Sequence, residues 1–123
     1  MIGLLLGLVQ AVAPAFHATL PSPISHYISP LDYPANALPS KAEGRVEIRL
    51  GIDPLGRVTD CLIRKSSGSS ILDRETCQIL HRRLKFDPAR NAADTSISDS
   101  VDAAIDWHLP PPDVIRRMQT GTH

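Results

Sequence analysis

This chain of 123 residues has few aromatic residues and no excess of charge of either sign. Phe, Tyr and Trp together account for 4% of the sequence, so a hydrophobic core has to be built from aliphatic side chains around the single Trp107. The 13 basic and 13 acidic residues cancel, and Lys and Arg form no long run. This balance excludes the basic surface with which proteins bind nucleic acids or anionic membranes, and the length suits one domain.

Motifs for catalysis are lacking as well. No serine lies in a Gly-x-Ser-x-Gly motif, and neither a His-Glu-x-x-His motif nor a Gly-rich phosphate loop occurs. Four of the five histidines are scattered over a predicted loop, a helix exterior, a strand exterior and the tail, at His26, His81, His108 and His123. We therefore expect a protein with no enzymatic activity, no metal, no cofactor, no small-molecule substrate and no nucleic-acid partner.

Only two cysteines occur, Cys61 and Cys77. They form no Cys-x-x-Cys motif and have no histidine at metal-ligand spacing, which disfavours a metal site. A disulfide between them would close a loop of about 16 residues and stabilise the fold by roughly 3 kcal/mol. Two buried free thiols are the alternative, and export to an oxidising compartment would favour the disulfide.

The segment 1–16 carries no charged side chain and is mostly apolar. A membrane-spanning helix needs about 20 apolar residues, whereas the core of a signal peptide needs roughly 7 to 15. The segment therefore predicts export by a cleaved signal, with a short membrane anchor as the close alternative. A buried core helix is the third interpretation.

Prolines crowd toward both ends of the rest of the chain, which places the folded body between them. We expect 1–18 to be a signal peptide or short membrane anchor and 19–32 to be a linker rich in Pro and Ser. The folded domain is predicted over 33–109, and 110–123 is predicted to be a polar flexible tail.

Two strands joined by a turn are predicted at the start of the domain. From Arg45 to Asp53 apolar and polar residues alternate, which is typical of a half-buried strand. Pro54 and Gly56 then favour a chain reversal into a second strand, from about Arg57 to Lys65. The alternation slips once in that second strand, and a bulge near Thr59 or Asp60 would restore it.

A helix and a final strand complete the predicted order. Apolar residues from Leu72 to Leu84 recur at helical spacing, with Leu72, Thr76, Ile79, Leu80 and Leu84 facing inward. The last strand alternates again, which predicts Ile105 and Trp107 in the core and Asp106 and His108 outside. The fold class is therefore α+β, a three-stranded antiparallel sheet with one main helix packed on one face.

The residues from Tyr33 to Leu109 resemble the carboxyl-terminal domain of TonB energy transducers. The Gly-x-Pro that is usual before the last strand of that family is absent between Ala92 and Ile97. The resemblance rests on the order and spacing of short motifs that are common individually: Tyr33-Pro34 with Ala37 and Glu43-Gly44, then Asp53, Gly56, Arg57 and Val58, then Ser66-Ser67-Gly68, Leu72-Asp73, and Phe86 with Pro88-Ala89.

The resemblance implies a periplasmic domain that acts in energy-coupled transport. Such a domain would bind an extended segment of an outer-membrane TonB-dependent transporter by strand addition to an exposed sheet edge. The two cysteines are similar to those of a disulfide-bearing subgroup, which implies a Cys61–Cys77 bond. The candidate peptide-binding residues are Tyr33, Pro34, Ser100, Asp102, Ala104 and Asp106.

Alternatives remain for these residues and for the function. Asp102 and Asp106 would equally serve to protect an edge strand from aggregation, and Tyr33-Pro34 to close the core as a hydrophobic lid. If the first segment anchors the chain, inner-membrane proton-channel motor proteins are expected partners. The residues between Phe16 and Tyr33 extend to only about 50 Å, which is short for a spacer across the periplasm. A non-energised periplasmic protein-binding or structural module is therefore the second hypothesis.

Overall fold

The computed structural model describes residues 14–120, which form a three-stranded antiparallel sheet, two helices, a small two-stranded sheet and three single-turn 3₁₀ helices. The strand order of the main sheet is β2-β1-β5. The strands are β1 (Gly44–Ile52), β2 (Val58–Lys65), β3 (Ala89–Arg90), β4 (Ser96–Ile97) and β5 (Asp99–Trp107). The helices are α1 (Ser70–Arg83) and α2 (Pro112–Gln119), and the 3₁₀ turns are Ile24–Tyr27, Pro30–Asp32 and Ala35–Ala37. The α+β class and the three-stranded sheet are confirmed.

Strand β1 is the centre of the sheet and of the core. Its alternating apolar residues are almost wholly buried, because they lie beneath the helix while their neighbours face solvent. In the β1–β2 register Ile52 is opposite Val58 and Gly51 is opposite Asp60, so Thr59 is the extra residue of a bulge. The predicted bulge is confirmed. A second irregularity, at Arg64, was not predicted.

Helix α1 packs on the sheet mainly over β2. The Ser69 hydroxyl caps its first turn by accepting the N–H of Leu72 at 3.2 Å. The predicted inward residues are all buried, and Leu84 is the residue that ends the helix. Cys77 on this helix is bonded to Cys61 on β2, with 5.8 Å between the Cα atoms, which confirms the disulfide.

Residues 14–32 span the end of the predicted signal and the whole of the predicted linker, and they contact the domain. In the range 14–18, the Phe16 carbonyl accepts the N–H of Arg90, and Ala18 is buried. Within the predicted linker 19–32, apolar side chains pack against the core, namely Leu20, Ile24, Tyr27 and Ile28. This segment therefore packs on the domain through interspersed apolar side chains, which are removed from water by that packing. The rest of the predicted signal or anchor, residues 1–13, lies outside the described residues.

Within the predicted tail, residues 112–119 form α2. Pro112 occupies its first turn, where the missing N–H costs nothing. Val114 is buried, and Met118, one turn later, packs against the core. The chain after β5 therefore adds a short amphipathic helix to the fold.

None of the helices formed by residues 14–120 has the length and apolar character that crossing a lipid bilayer requires.

Candidate functional site

Strand β5 forms one edge of the main sheet. All nine of its residues pair with β1 in an antiparallel register without any shift, from Asp99 opposite Ile52 to Trp107 opposite Gly44. Along the opposite side of β5, none of the residues 14–120 forms a ladder or an isolated bridge. The outer side of β5 is therefore an open edge in the described part of the chain.

The turn between β1 and β2 determines which backbone groups of β5 point outward. Asp53 donates its N–H to the carbonyl of Arg57 at 2.9 Å, so the flanking residue Ile52 does not exchange hydrogen bonds with β2. Ile52 and the alternate residues of β1 direct their backbone groups to β5 instead. Their partners on β5 are Asp99, Val101, Ala103, Ile105 and Trp107. The intervening residues direct N–H and C=O away from the sheet: Ser100, Asp102, Ala104 and Asp106.

These outward residues are four of the candidate peptide-binding residues, but they are not equivalent. Ser100 already donates its N–H to the carboxylate of Asp99 at 2.8 Å. That carboxylate also accepts the N–H of Ala18 at 2.9 Å and lies 3.1 Å from the His17 ring. The free part of the edge therefore begins at Asp102 and continues through Ala104 and Asp106.

The carboxylates on this edge are held by arginines of β1. Arg49 makes a bidentate contact with Asp102 at 2.7 and 3.1 Å, and Arg45 contacts Asp106 at 3.0 Å. The Arg49 guanidinium holds the pKa of the Asp102 carboxyl below its ordinary value. Both pairs are exposed and lie on the solvent face of the sheet. These side chains therefore tie β5 to β1 and leave the outward backbone groups uncovered.

Tyr33 and Pro34, the other two candidate residues, lie near the end of β5. Tyr33 is 2% exposed, and its hydroxyl donates to the carbonyls of Ala42 at 2.8 Å and Ala37 at 3.1 Å. Burial raises the pKa of this phenol. The Tyr33 ring lies edge to face with Trp107, at 6.2 Å between centroids. Tyr33 is therefore a core residue with one ring surface near the site, and Pro34 is half-buried beside it.

Sequence reasoning missed the contribution of the segment 14–32 to this region. Ile28 and Pro30 line a groove beside the end of β5, together with Trp107 and Leu109. The apolar residues of this segment were the only available signal, and they have neither the period of a helix nor that of a strand. No group of His, Cys, Asp or Glu side chains within residues 14–120 has an arrangement that could hold a metal ion.

A helix-backed antiparallel sheet with one regular open edge defines a class of small domains that are able to bind an extended peptide. Residues 29–109 match the family described as the Gram-negative bacterial TonB protein C-terminal. The chain belongs to this family, as the sequence resemblance predicted. Its members are periplasmic, non-enzymatic domains in energy-coupled transport. No curated protein matches the chain.

Proposed function

We propose that the outer edge of β5 binds an extended segment of an outer-membrane TonB-dependent transporter by strand addition, as part of energy-coupled transport. The observation that carries this proposal is the regular register of β5 with β1, which leaves Asp102, Ala104 and Asp106 with outward backbone donors and acceptors. An added strand would satisfy these groups without any rearrangement of the domain.

The polar contacts within the sheet support a preformed site. Arg45 and Arg49 hold Asp106 and Asp102 from the β1 side, so β5 keeps its position whether or not a ligand is bound. Because the groups offered to the ligand are mainly backbone groups, affinity would come from main-chain hydrogen bonds. Discrimination between ligands would then come from side-chain contacts beside the edge.

A proline at Ala104 tests this proposal. Proline removes the outward N–H that a ligand would need and leaves the hydrogen bonds to β1 in place. Ala104→Ser is the matched control, because it changes the same side chain and keeps the N–H. Binding of synthetic peptides, copied from periplasm-facing segments of transporters encoded in the same genome, is measured by calorimetry on the protein purified from the periplasm.

We expect Ala104→Pro to weaken binding at least tenfold, about the net contribution of one well-made hydrogen bond, and Ala104→Ser to change it little. Urea melts establish that both variants are folded. If folded Ala104→Pro binds these peptides as tightly as Ala104→Ser, the edge of β5 is not the binding site.

A second candidate is a periplasmic binding or structural module that transmits no force. The observation that favours it is the packing of residues 14–32 on the domain, since packed residues cannot also serve as an extended spacer. Peptide binding would be retained under this alternative. Cross-linking in intact cells separates the two functions, because only a transducer would be captured with inner-membrane proton-channel motor proteins.

A further inference from the structure

A groove of about 170 Å³ lies at the end of β5, between the segment that precedes Tyr33 and the segment that follows Trp107. Its walls are mostly apolar, with Ile28 and Pro30 on one side and Leu109 and Pro111 on the other. An apolar cavity of about 150 Å³ is large enough to hold a benzene ring. The groove therefore has room for one bulky aliphatic or aromatic side chain.

The floor of the groove is formed by two aromatic rings whose polar atoms are already hydrogen-bonded inside the domain. The polar residues of the lining are Ser29, Asp106 and His108. Trp107 donates its indole N–H to the Thr76 hydroxyl at 2.8 Å. The Tyr33 hydroxyl is likewise bonded to backbone carbonyls inside the domain. A polar side chain entering the groove would find no partner on these two rings, so it would lose its hydrogen bonds to water. The floor consequently selects for apolar groups.

The groove lies at one end of the row of positions that a strand-added peptide would occupy on the core side, because Trp107 at the end of β5 is one of its lining residues. In paired strands, opposite residues direct their side chains to the same face. Ligand residues opposite Val101, Ala103 and Ile105 would therefore point to the core side of the sheet. Val101 and Ala103 are only partly buried, so their side chains keep some exposure on that side of the sheet. The next position in this row is opposite Trp107, where the groove lies.

We infer that this groove binds a bulky apolar side chain of the peptide added to β5. The ligand class is thus an extended segment with apolar residues at alternate positions and Leu, Ile or Phe at the end that lies beside Trp107. This inference rests on the proposed function, because the groove takes its ligand side chain from the same added strand. The walls are preformed by prolines, which lowers the entropic cost of binding.

Designed peptides test the inference on the unmodified protein. Each has about eight residues, enough to span β5, with Thr and Val alternating and one terminal Val position changed to Leu or Ala. Leu is placed near the carboxyl end in one pair of peptides and near the amino end in another, because a parallel and an antiparallel ligand bring opposite ends to Trp107. We expect Leu to bind roughly tenfold more tightly than Ala in one of the two pairs.

A carboxylate placed in the groove gives the matching test on the protein. We expect Ile28→Asp to bring the Leu-to-Ala affinity ratio close to one, because the new charge removes the apolar wall. Leu31→Asp is the control. It introduces the same charge three residues away on the same segment, at a side chain that is 53% exposed, and we expect the Leu preference to remain. Urea melts show whether either variant is destabilised.

The outcomes separate the inference from the proposed function. If Leu and Ala peptides bind equally in both orientations while Ala104→Pro still weakens binding at least tenfold, the groove is not used and the edge is. If Ile28→Asp and Leu31→Asp both keep the Leu preference, the apolar side chain binds elsewhere on the edge. If neither the designed peptides nor the transporter segments bind at all, both proposals are wrong.

Discussion

The two edge strands of the sheet, β2 and β5, are held in the fold by different means. On β2, Cys61 is joined to Cys77 of α1 by a disulfide. On β5, Trp107 reaches the same helix through a hydrogen bond from its indole N–H to Thr76, which is fully buried. Strand β2 is therefore joined to the helix by a covalent bond, whereas β5 is joined to the helix by packing and one internal hydrogen bond.

The two edges also differ in regularity. The pairing of β2 with β1 is interrupted near Thr59 and again near Arg64, whereas β5 pairs without interruption. Bulges bend and twist an edge strand and make it a poor template for further pairing. Because β2 is bulged and β5 is regular, the difference favours β5 as the edge that a ligand would use under the proposed function.

We expect the largest effect on stability when the core packing of Trp107 on β5 is removed. Trp107→Ala removes the core contact with Tyr33 and the hydrogen bond to Thr76, so we expect the free energy of unfolding to fall by about 3–5 kcal/mol. Urea denaturation measures this fall in the free energy of unfolding. Asp106→Ala is the neighbouring control on the solvent face, and a loss as large as that of Trp107→Ala would contradict the assigned orientation of β5.

We expect a smaller loss of stability when the disulfide that joins β2 to α1 is broken. Cys61 and Cys77 are 16 residues apart in sequence. Reduction of their bond opens this loop, so the unfolded chain gains conformational entropy. We expect a loss of about 3 kcal/mol in urea melts with a reducing agent. Replacing both cysteines by Ser supplies the control, since the stability of that variant should not respond to the reducing agent. Equal stability with and without reductant in the unmodified protein would contradict a stabilising role for the bond.

The features of the fold that have a regular period could be predicted from the sequence. Alternation identified the burial of Ile105 and Trp107. A single slip in alternation located a bulge near Thr59 or Asp60, and the register places it at Thr59. The packing of the segments on either side of the predicted domain could not be predicted in this way. The segment 14–32 packs through 3₁₀ turns and irregular backbone, which carry no period. Pro112 followed by Val114 and Met118 did carry a short helical signal, but one of only two turns.

The sequence predicted which strand forms the open edge, but not which of its backbone N–H groups point outward. A three-stranded sheet necessarily has two edges, and family resemblance favoured the last strand. The identity of the outward N–H groups depends on the hydrogen bond between Asp53 and Arg57, which fixes the phase of β1 and through it that of β5. Before that register is known, either Ala103 or Ala104 could be the residue whose N–H points outward. The structure therefore supplies the choice of Ala104 for the proline test.

The smallest expected effect concerns the start of β5, where Asp99 joins the strand to the N-terminal segment. The side chain of Asp99 is 8% exposed, and this burial favours its protonated form. The N–H donors of Ala18 and Ser100 and the nearby His17 ring outweigh burial and hold the pKa of the carboxyl below its ordinary value. A carboxyl with a lowered pKa in the folded state stabilises the fold above its unfolded-state value of about 3.9. That stability is lost as the pH falls through the folded-state pKa.

Asp99→Asn should therefore lower the free energy of unfolding at neutral pH by about 1 kcal/mol, because the charge-assisted hydrogen bonds to two N–H groups are weakened. The difference from the unmodified protein should shrink as the pH is lowered past about 4 and vanish when Asp99 is protonated in both states. Thermal melts between neutral pH and pH 3 measure this convergence. Asp87→Asn is the control, because Asp87 also lies beside the N-terminal segment but its side chain is exposed. If the Asp99→Asn difference stays constant over this range, the carboxylate charge has no part in holding the N-terminal segment against β5.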